Sequence, residues 1–486
     1  MTPRTLHWFR HDLRLADNPA LTKAASEGLV TPIFILDDEA AGDDRLGGAT
    51  RVWLHHALKS LNVSVENNLI VMSGDAETCL HRIIEQTGAT ILTFTTSYAP
   101  WQVEQDAQIT KRLLEQGVTV IQESGSVLWE PEQVQKADGT PYRVFTPFYR
   151  RGCLNLTQPR FPLAPPDITF AEPVQACSPY GALAIDSLNL LPERPWGDEI
   201  CAGWDISEAG AHERLAEFVD DGLSNYKEGR NFPDKPHVSR LSPYMRFGQV
   251  SAHQAWYAAD GILPEHDSQR ETFRSELGWR EFSHNLVMQN PDIRTKNIQT
   301  KFDAFGWRDD NAALTSWQTG MTGFPIVDAG MRELYQTGYM HNRVRMIVGS
   351  FLVKNLLLDW RHGERWFWDC LFDADFANNR AGWQWIAGCG ADAAPYFRVF
   401  NPVTQGQKFD ADGHYTRKYV PELSKLPSKY LFAPWEAPST ILQHAGVTLG
   451  TTYPKPIVDL KASRLRALDA FADLKLAANA AVEEQI

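Results

Sequence analysis

Residues 322–334 read TGFPIVDAGMREL, residues 340–361 MHNRVRMIVGSFLVKNLLLDWR, and residues 373–385 DADFANNRAGWQW. Charged, amide and indole side chains stand here within helices, where a plain helical core would place aliphatics. Helical patterns extend outward from this region, dominating from about residue 205 to the end of the chain, with a last helix expected over roughly 459–480.

Upstream the rhythm changes. From residue 5 to about 123, short apolar runs (LHWF, TPIFIL, LIVMSG, ATILTFT, VTVIQES) alternate with amphipathic stretches such as TRVWLHHALKSL and AETCLHRIIEQ. This βαβα order predicts a parallel sheet covered by helices, a Rossmann-like layer. Its strand ends, where such sheets bind ligands, carry Phe9, Arg10, Asp37 and Asp38. Between about 131 and 200 the chain is rich in proline (Pro159, Pro162, Pro165, Pro166, Pro173, Pro179, Pro192, Pro195) and lacks periodicity, as expected of a long connector wrapped over the surface. The expected fold class is therefore α/β plus all-α, divided as 1–131, 132–204 and 205–486. No internal repeat or low-complexity tract interrupts it.

At 486 residues the chain exceeds the size at which one core keeps growing, so at least two domains and room for a bulky cofactor are expected. No run approaches the ~18 to 20 apolar residues of a membrane span, and the charged N-terminus MTPRTLHWFRHDLRL lacks the features of a secretory signal. A cytoplasmic location is expected. Six cysteines (Cys79, Cys153, Cys177, Cys201, Cys370, Cys389) are scattered without a C-x-x-C pair, which argues for buried thiols rather than zinc, an Fe–S cluster or disulfides. The net charge of -13 runs against general affinity for nucleic acid, so any such binding must depend on a local cluster of arginines.

Three spacings place unusual groups together. In FRSELGWREF, Glu276, Trp279 and Arg280 share one helical face, which read alone is equally an exposed ion pair over a half-buried indole. In MHNRVRM, Asn342, Arg345 and Met346 repeat the device, although a Met at helical spacing is more often core. In DADFANN, Asp373 and Asp375 precede Asn379, and two carboxylates at i, i+2 also suit a helix N-terminus. Two further patterns are discounted. GCGADA at 388–393 fits G-x-G-x-x-A but opens no βαβ unit, and the adjacent His55 and His56 diverge on a helix, so no metal is assigned.

The order of these motifs closely resembles the photolyase/cryptochrome family, flavin enzymes that use blue light to repair pyrimidine dimers in DNA or to signal. The resemblance extends over nearly the whole chain and is greatest to class I cyclobutane pyrimidine dimer photolyases. It implies an N-terminal antenna-chromophore domain and a large helical FAD- and DNA-binding catalytic domain. Light-dependent repair would proceed by electron transfer from photoexcited reduced FAD to a flipped-out lesion. By that resemblance Glu276 hydrogen-bonds the flipped pyrimidine, Trp279 and Trp385 pack on it, and Asn342 and Met346 complete the substrate site. Met346 stands where (6-4) photolyases carry a nearby His, and so favours the cyclobutane substrate.

The segment NYKEGRNFPDKPHVSRLSPYMRFG resembles the family's cofactor phosphate loop, with Tyr226, Val238, Ser239, Arg240, Leu241 and Ser242 at the matching places. Val238 replaces a common hydroxyl residue, and Phe273 replaces a common Trp. Glu276, Arg280, Asn342, Arg345, Asp373, Asp375 and Asn379 match further FAD contacts, with Asn379 beside flavin N5, where an amide does not readily supply a proton. Trp307, Trp360 and Trp383 match, in order, the relay that carries electrons to the flavin; with 16 Trp in the chain any one alone would pass for core. Arg230, Arg343 and Arg398 match phosphate contacts around the lesion. Methenyltetrahydrofolate is the first candidate antenna, with Glu104 matching a folate-reading carboxylate, although NPDIRTKNIQTKF lacks the Cys of the usual Cys–Lys pair; a deazaflavin or an empty pocket are the other options. The partner is damaged DNA, no membrane is involved, and a monomer is expected. A cryptochrome-like photoreceptor is the main alternative, followed by a (6-4) photolyase and by a nucleotide-binding α/β protein judged from residues 1–123.

Overall fold

The computed structural model describes residues 2–172, 183–193, 195–264, 266–393, 395, 396 and 398–483. The chain forms two compact units. The first comprises Met1–Ser224, Ser239–Gln289 and Phe372–Ala377, and the second Asn225–Val238, Asn290–Leu371 and Asn378–Ile486.

The first unit is built on five strands: β1 (Arg4–Phe9), β2 (Leu29–Leu36), β3 (Ile70–Ser73), β4 (Ile91–Thr95) and β5 (Thr119–Glu123). Their order is β3-β2-β1-β4-β5 and every pairing is parallel, with Trp8 opposite Ile33 on one side and Phe94 on the other. A parallel sheet is covered on both faces, which is why β2 and β4 read as near-continuous apolar runs and are almost wholly buried. Two crossover helices start on capping side chains: Asn18 accepts from Leu21 N before Pro19–Glu27, and Asp75 accepts from Thr78 N before Ala76–Thr87. One face of the sheet and the helices Ala76–Thr87 and Pro100–Glu115 bury Leu6, Trp8, Ile33, Leu80, Ile83, Leu92, Phe94 and Ile109 in a single cluster. Each such side chain contributes roughly 1.5–3 kcal/mol.

Strand order reverses at β1, between β2 and β4, so the crevice beyond Phe9 and Thr95 is the switch point at which ligands of such sheets usually sit. Here Arg10 fills it. The guanidinium lies 4.7 Å from the Trp8 ring centroid and 4.8 Å from that of Phe94, donates to Asp106 Oδ1 at 2.7 Å, and also donates to the Thr95 carbonyl. Asp37 is likewise used internally, accepting from Ala76 N at 2.9 Å and Gln105 Nε2 at 2.8 Å.

The proline-rich connector contains short helical turns at Phe145–Pro147, Phe148–Gly152, Cys153–Asn155, Ile185–Leu188 and Trp196–Cys201, and a bridge between Phe170 and Val30 ties it to the start of β2. Pro173, Pro179 and Cys177 lie outside the described residues. Cys79, Cys153, Cys370 and Cys389 are buried free thiols and Cys201 is half-buried; burial pushes all five up.

The second unit is helical, with Pro325–Thr337, Asn342–Ser350, Trp360–Cys370, the helix Phe376–Ala387 from Asn378 onward and the final Leu460–Glu483 among its elements. In its first motif the inward polar residue has a structural use. Asp328 is fully buried, which pushes its carboxyl up, and it accepts from Thr322 N (2.7 Å), Thr322 Oγ1 (2.6 Å), Gly323 N (3.0 Å) and Tyr453 OH (2.6 Å). Gly323 sits at φ 80, and a Cβ there would lie 2.5 Å from the Lys455 carbonyl. Glu333 similarly accepts from Tyr415 OH at 2.7 Å and His341 N at 3.3 Å. No helix among the described residues is long and apolar enough to cross a membrane.

Candidate functional site

In the first unit the two-aspartate turn is held by the C-terminal part of the cofactor-loop motif. Ser242 Oγ donates to Asp373 Oδ2 at 2.5 Å, and Arg246 Nε donates to the Ala374 carbonyl at 2.6 Å. Arg246 also meets His11 Nδ1 at 3.0 Å; burial together with Arg246 and Arg10 keeps His11 well below the usual imidazole range. Asp375 caps the start of the next helix by accepting from Ala377 N at 3.0 Å. Arg240 adopts a left-handed backbone (φ 51) and lays its guanidinium 4.5 Å from the Trp204 ring centroid, while Leu241 N donates to Ser239 Oγ at 3.4 Å. A non-glycine residue in that conformation costs on the order of 1 kcal/mol and concentrates at ligand sites. The loop thus brings the Ser239 and Ser242 hydroxyls and Arg240 to one strained turn. Phe273 is buried against Phe218 (4.9 Å), and Leu241 is buried.

On the helix Ser268–Gln289, Glu276, Trp279 and Arg280 are all half-buried. Phe145 stacks on Trp279 with centroids 3.8 Å apart and planes at 10°, and Tyr149 stacks behind Phe145 at 5.6 Å. Gly278 makes this possible, since a Cβ there would lie 2.5 Å from the Tyr149 ring. One face of Trp279 is therefore backed by two aromatic rings. Arg280 donates to Glu281 Oε1 at 3.1 Å, and Glu281 accepts from Leu128 N at 2.8 Å. Burial pushes the Glu281 carboxyl up to about 7, and His284, one turn on, is pushed down to about 4 by burial and by Arg280.

In the second unit Arg343 holds the centre of a cationic group. It donates to Asn231 Oδ1 at 2.5 Å, touches Met346 Sδ at 3.5 Å, and lies 4.5 Å from the Phe409 ring centroid. Burial and the nearby Arg230 pull its guanidinium down, and burial with Arg345, Arg343 and Arg230 drives His341 down to about 3. Like charges gathered in this way favour an anion between them. Arg230 also packs over Tyr226 (5.4 Å), Arg345 donates to the Met340 carbonyl at 2.7 Å, Asn342 is exposed, and Val238 and Met346 are half-buried. Arg398 is exposed on a segment anchored by Lys354, whose buried ammonium donates to the Arg398 carbonyl at 2.9 Å; burial pulls Lys354 down to about 8.

Asn379 is buried, and its amide NH2 donates to both Glu364 O (3.0 Å) and Glu364 Oε1 (3.1 Å). Its NH2 is thereby committed within the protein. Of the tryptophans, Trp360 and Trp383 are buried, whereas Trp307 and Trp385 are half-buried. Trp383 packs edge-on to Phe367 at 4.9 Å and to Trp317 at 6.1 Å, and Trp307 packs on Phe305 at 4.4 Å.

Glu104, the candidate folate reader, is exposed on the helix Pro100–Glu115. His55 and His56 meet edge-on at 5.2 Å, and no group of three His, Cys, Asp or Glu suited to a metal stands among the described residues. The sequence reading missed Phe145, Glu281 and Glu364. Glu281, adjacent to Arg280, could have been noticed from its position; Glu364 stands on the helix Trp360–Cys370, whose pattern does not reveal its partner, and Phe145 comes from the connector, which lacks periodicity.

The family models that match are those of DNA photolyase, over residues 5–167, and of the FAD binding domain of DNA photolyase, over residues 273–473. The chain is 46% identical over 482 residues to a deoxyribodipyrimidine photo-lyase of Agrobacterium fabrum, covering 98% of both chains. It is 36% identical to Cryptochrome-2 of Arabidopsis thaliana, over 96% of this chain and 78% of that one. Its fold superposes on a bacterial class III photolyase from Agrobacterium tumefaciens with a TM-score of 0.93 at 46% identity, again over 98% of each chain. That likeness extends from the parallel sheet through the helices that carry the Asn379 and Trp383 positions, and on it this chain belongs to the DNA photolyase family.

Proposed function

We propose that this protein repairs cyclobutane pyrimidine dimers in DNA under light, using non-covalently bound FAD. The observation that carries the reading is the Trp279 indole, half-buried, backed by Phe145 at 3.8 Å, and one turn from the Glu276 carboxylate. A base turned out of the duplex needs one aromatic wall and one polar reader, and this helix face offers both.

The donor set suits FAD. The Ser239 hydroxyl with Arg240 on a strained turn fits a pyrophosphate, Ser242, whose proton goes to Asp373, fixes the adjoining acidic turn, and Asn379 offers an amide oxygen whose NH2 is already committed to Glu364. Tyr226, Val238, Leu241, Phe273, Arg280, Asn342, Arg345, Asp373 and Asp375 complete the proposed contacts. Bound FAD would supply light absorption and the transferable electron. The protein's part is to orient, to exclude water and to keep protons in place: an amide at 379 withholds a proton where an acid would give one. Trp383, Trp360 and Trp307 are proposed to restore the reduced state. Trp385 and Met346 line the lesion site, Met346 favouring a cyclobutane ring over a (6-4) product.

Arg230, Arg343 and Arg398 are proposed to bind the phosphates around the lesion, offsetting the net charge of -13. We further assign residues 1–131 to an antenna domain, 132–204 to a connector and 205–486 to the catalytic domain. Methenyltetrahydrofolate is the first candidate antenna, and a cytoplasmic monomer the expected state. The Arg10–Asp106 pair at the strand switch point favours an antenna held elsewhere than that crevice.

The test is repair of a duplex oligonucleotide carrying one cyclobutane thymine dimer, with FAD-loaded, chemically reduced protein in blue light and in the dark. Light-dependent restoration of the thymines supports the proposal. Bound, reducible FAD without repair overturns it in favour of a photoreceptor, and repair of only a (6-4) lesion changes the substrate.

A further inference from the structure

Trp360 is completely buried, so its indole N–H must find an acceptor within the protein. It donates to Asn297 Oδ1 at 3.0 Å, and Asn297, 4% exposed, donates through Nδ2 to Asp303 Oδ1 at 2.6 Å. This chain of donors permits only one orientation of the amide. Turned over, it would set an NH2 against the indole N–H and a carbonyl against the carboxylate.

The loop bearing Asn297 is held on several sides. Gln384, between Trp383 and Trp385 in sequence, accepts from Ile298 N at 2.9 Å and donates to the carbonyls of Ile293 (2.9 Å) and Lys296 (2.8 Å). Gln299 N donates to the Cys389 carbonyl at 2.8 Å, and Arg361 donates to the Thr295 carbonyl at 2.6 Å. The Arg361 guanidinium also lies 4.6 Å from the Trp360 ring centroid, with its charge offset by Asp359 at 3.1 Å.

We propose that Asn297 is a positioning residue that keeps the indole proton on Trp360 while that ring carries an electron vacancy. This rests on the relay reading of Trp307, Trp360 and Trp383. In that sequence Trp360 gives one electron to oxidised Trp383 and receives one from Trp307, whose own loss is made good by an added thiol reductant. The indole N–H bond neither forms nor breaks. A one-electron-oxidised indole is a far stronger acid than the neutral ring, comparable to a carboxylic acid, and a buried carboxylate at the N–H would take its proton and trap the vacancy at Trp360. An amide oxygen is too weak a base to do so, while Asp303, one hydrogen bond further out, stabilises the positive charge without accepting the proton.

The experiment exchanges the two groups. The double variant N297D/D303N keeps the atoms and net charge of the pair but sets the carboxylate against the indole; Trp360→Phe is made in parallel. FAD-loaded proteins are followed by transient absorption, which distinguishes protonated from deprotonated tryptophanyl radicals, with FAD content and melting midpoint as controls. The expected result is early appearance of the deprotonated radical and loss of most photoreduction in the exchanged variant, with FAD content and melting near wild type. If Trp360→Phe blocks photoreduction but the exchanged variant behaves as wild type, the role of Asn297 is overturned alone. If Trp360→Phe photoreduces normally, the relay reading and this proposal both fall. A lowered FAD content or melting midpoint in the exchanged variant, with the radical still protonated in the FAD-bound fraction, would make Asn297 merely structural.

Discussion

Replacing Gly363 by alanine would set a Cβ 2.0, 2.4 and 2.5 Å from three ring carbons of Trp383. Ordinary contact begins at 3.4 Å, so the worst overlap requires a movement of 3.4 − 2.0 = 1.4 Å. The indole has little room to yield, being 3% exposed, edge-on to Phe367 at 4.9 Å and near Trp317 at 6.1 Å. Overpacking of a dense core costs about 1–3 kcal/mol. The glycine is inside the helix Trp360–Cys370, where alanine returns about 1 kcal/mol of propensity. The net expectation is a destabilisation of up to roughly 2 kcal/mol, read as a lower urea midpoint at unchanged slope. Because Trp383 is the proposed relay member nearest the flavin, its displacement should also slow photoreduction, while chemically reduced protein still repairs DNA. Wild-type stability together with wild-type photoreduction would refute the argument that Gly363 sets the seat of Trp383. Lost stability with unchanged photoreduction would keep the packing argument and remove Trp383 from the relay.

Glu276→Ala should retain FAD and photoreduction yet lose repair efficiency in the thymine-dimer assay; unchanged repair would take Glu276 out of the lesion site. Trp383→Phe should block photoreduction of the oxidised protein, whereas pre-reduced protein repairs as before, measured by flavin absorbance under blue light with a thiol donor. Glu281→Gln bears on pH. The folded carboxyl is raised from 4.5 to about 7, so between those values the folded state binds more protons than the unfolded one, and this group's contribution to stability falls as pH rises through that window. Subtracting the variant's urea midpoints from those of the wild type at pH 5 and pH 8 should expose that fall, against the opposite slopes of His7 and His284, which burial pushes down to about 4. A difference independent of pH would contradict the buried, raised state of Glu281.

The sheet was legible in the sequence because burial on both faces demands uninterrupted apolar, β-branched runs, and those are visible one residue at a time. The helical motifs were legible as faces but not as partnerships. Asp328 and Asp373 look alike in sequence, each an acidic residue in a motif rich in small and aromatic neighbours. Asp328 is paired with Tyr453, 125 positions on, and serves the fold. Asp373 is met by Ser242, 131 positions back, beside the strained turn at Arg240. Helical spacing tells which side chains share a surface, and nothing in it reveals what approaches that surface from elsewhere. The same holds for Trp279, whose backing ring, Phe145, comes from the stretch with the least periodic signal in the chain.

Asparagine makes the point in chemical terms. Its side chain presents an acceptor at one end and a donor at the other, so the letter N leaves open which of two opposite functions a site receives. At 379 the backbone and side-chain oxygens of Glu364 both claim the NH2, and at 297 Asp303 claims the NH2 and turns the carbonyl toward Trp360. In both places a carboxylate that touches no proposed ligand decides what the amide offers. Exchanging that carboxylate with its amide partner therefore tests the chemistry more directly than removing either one, because shape and charge are conserved and only the basicity of the contacting oxygen changes.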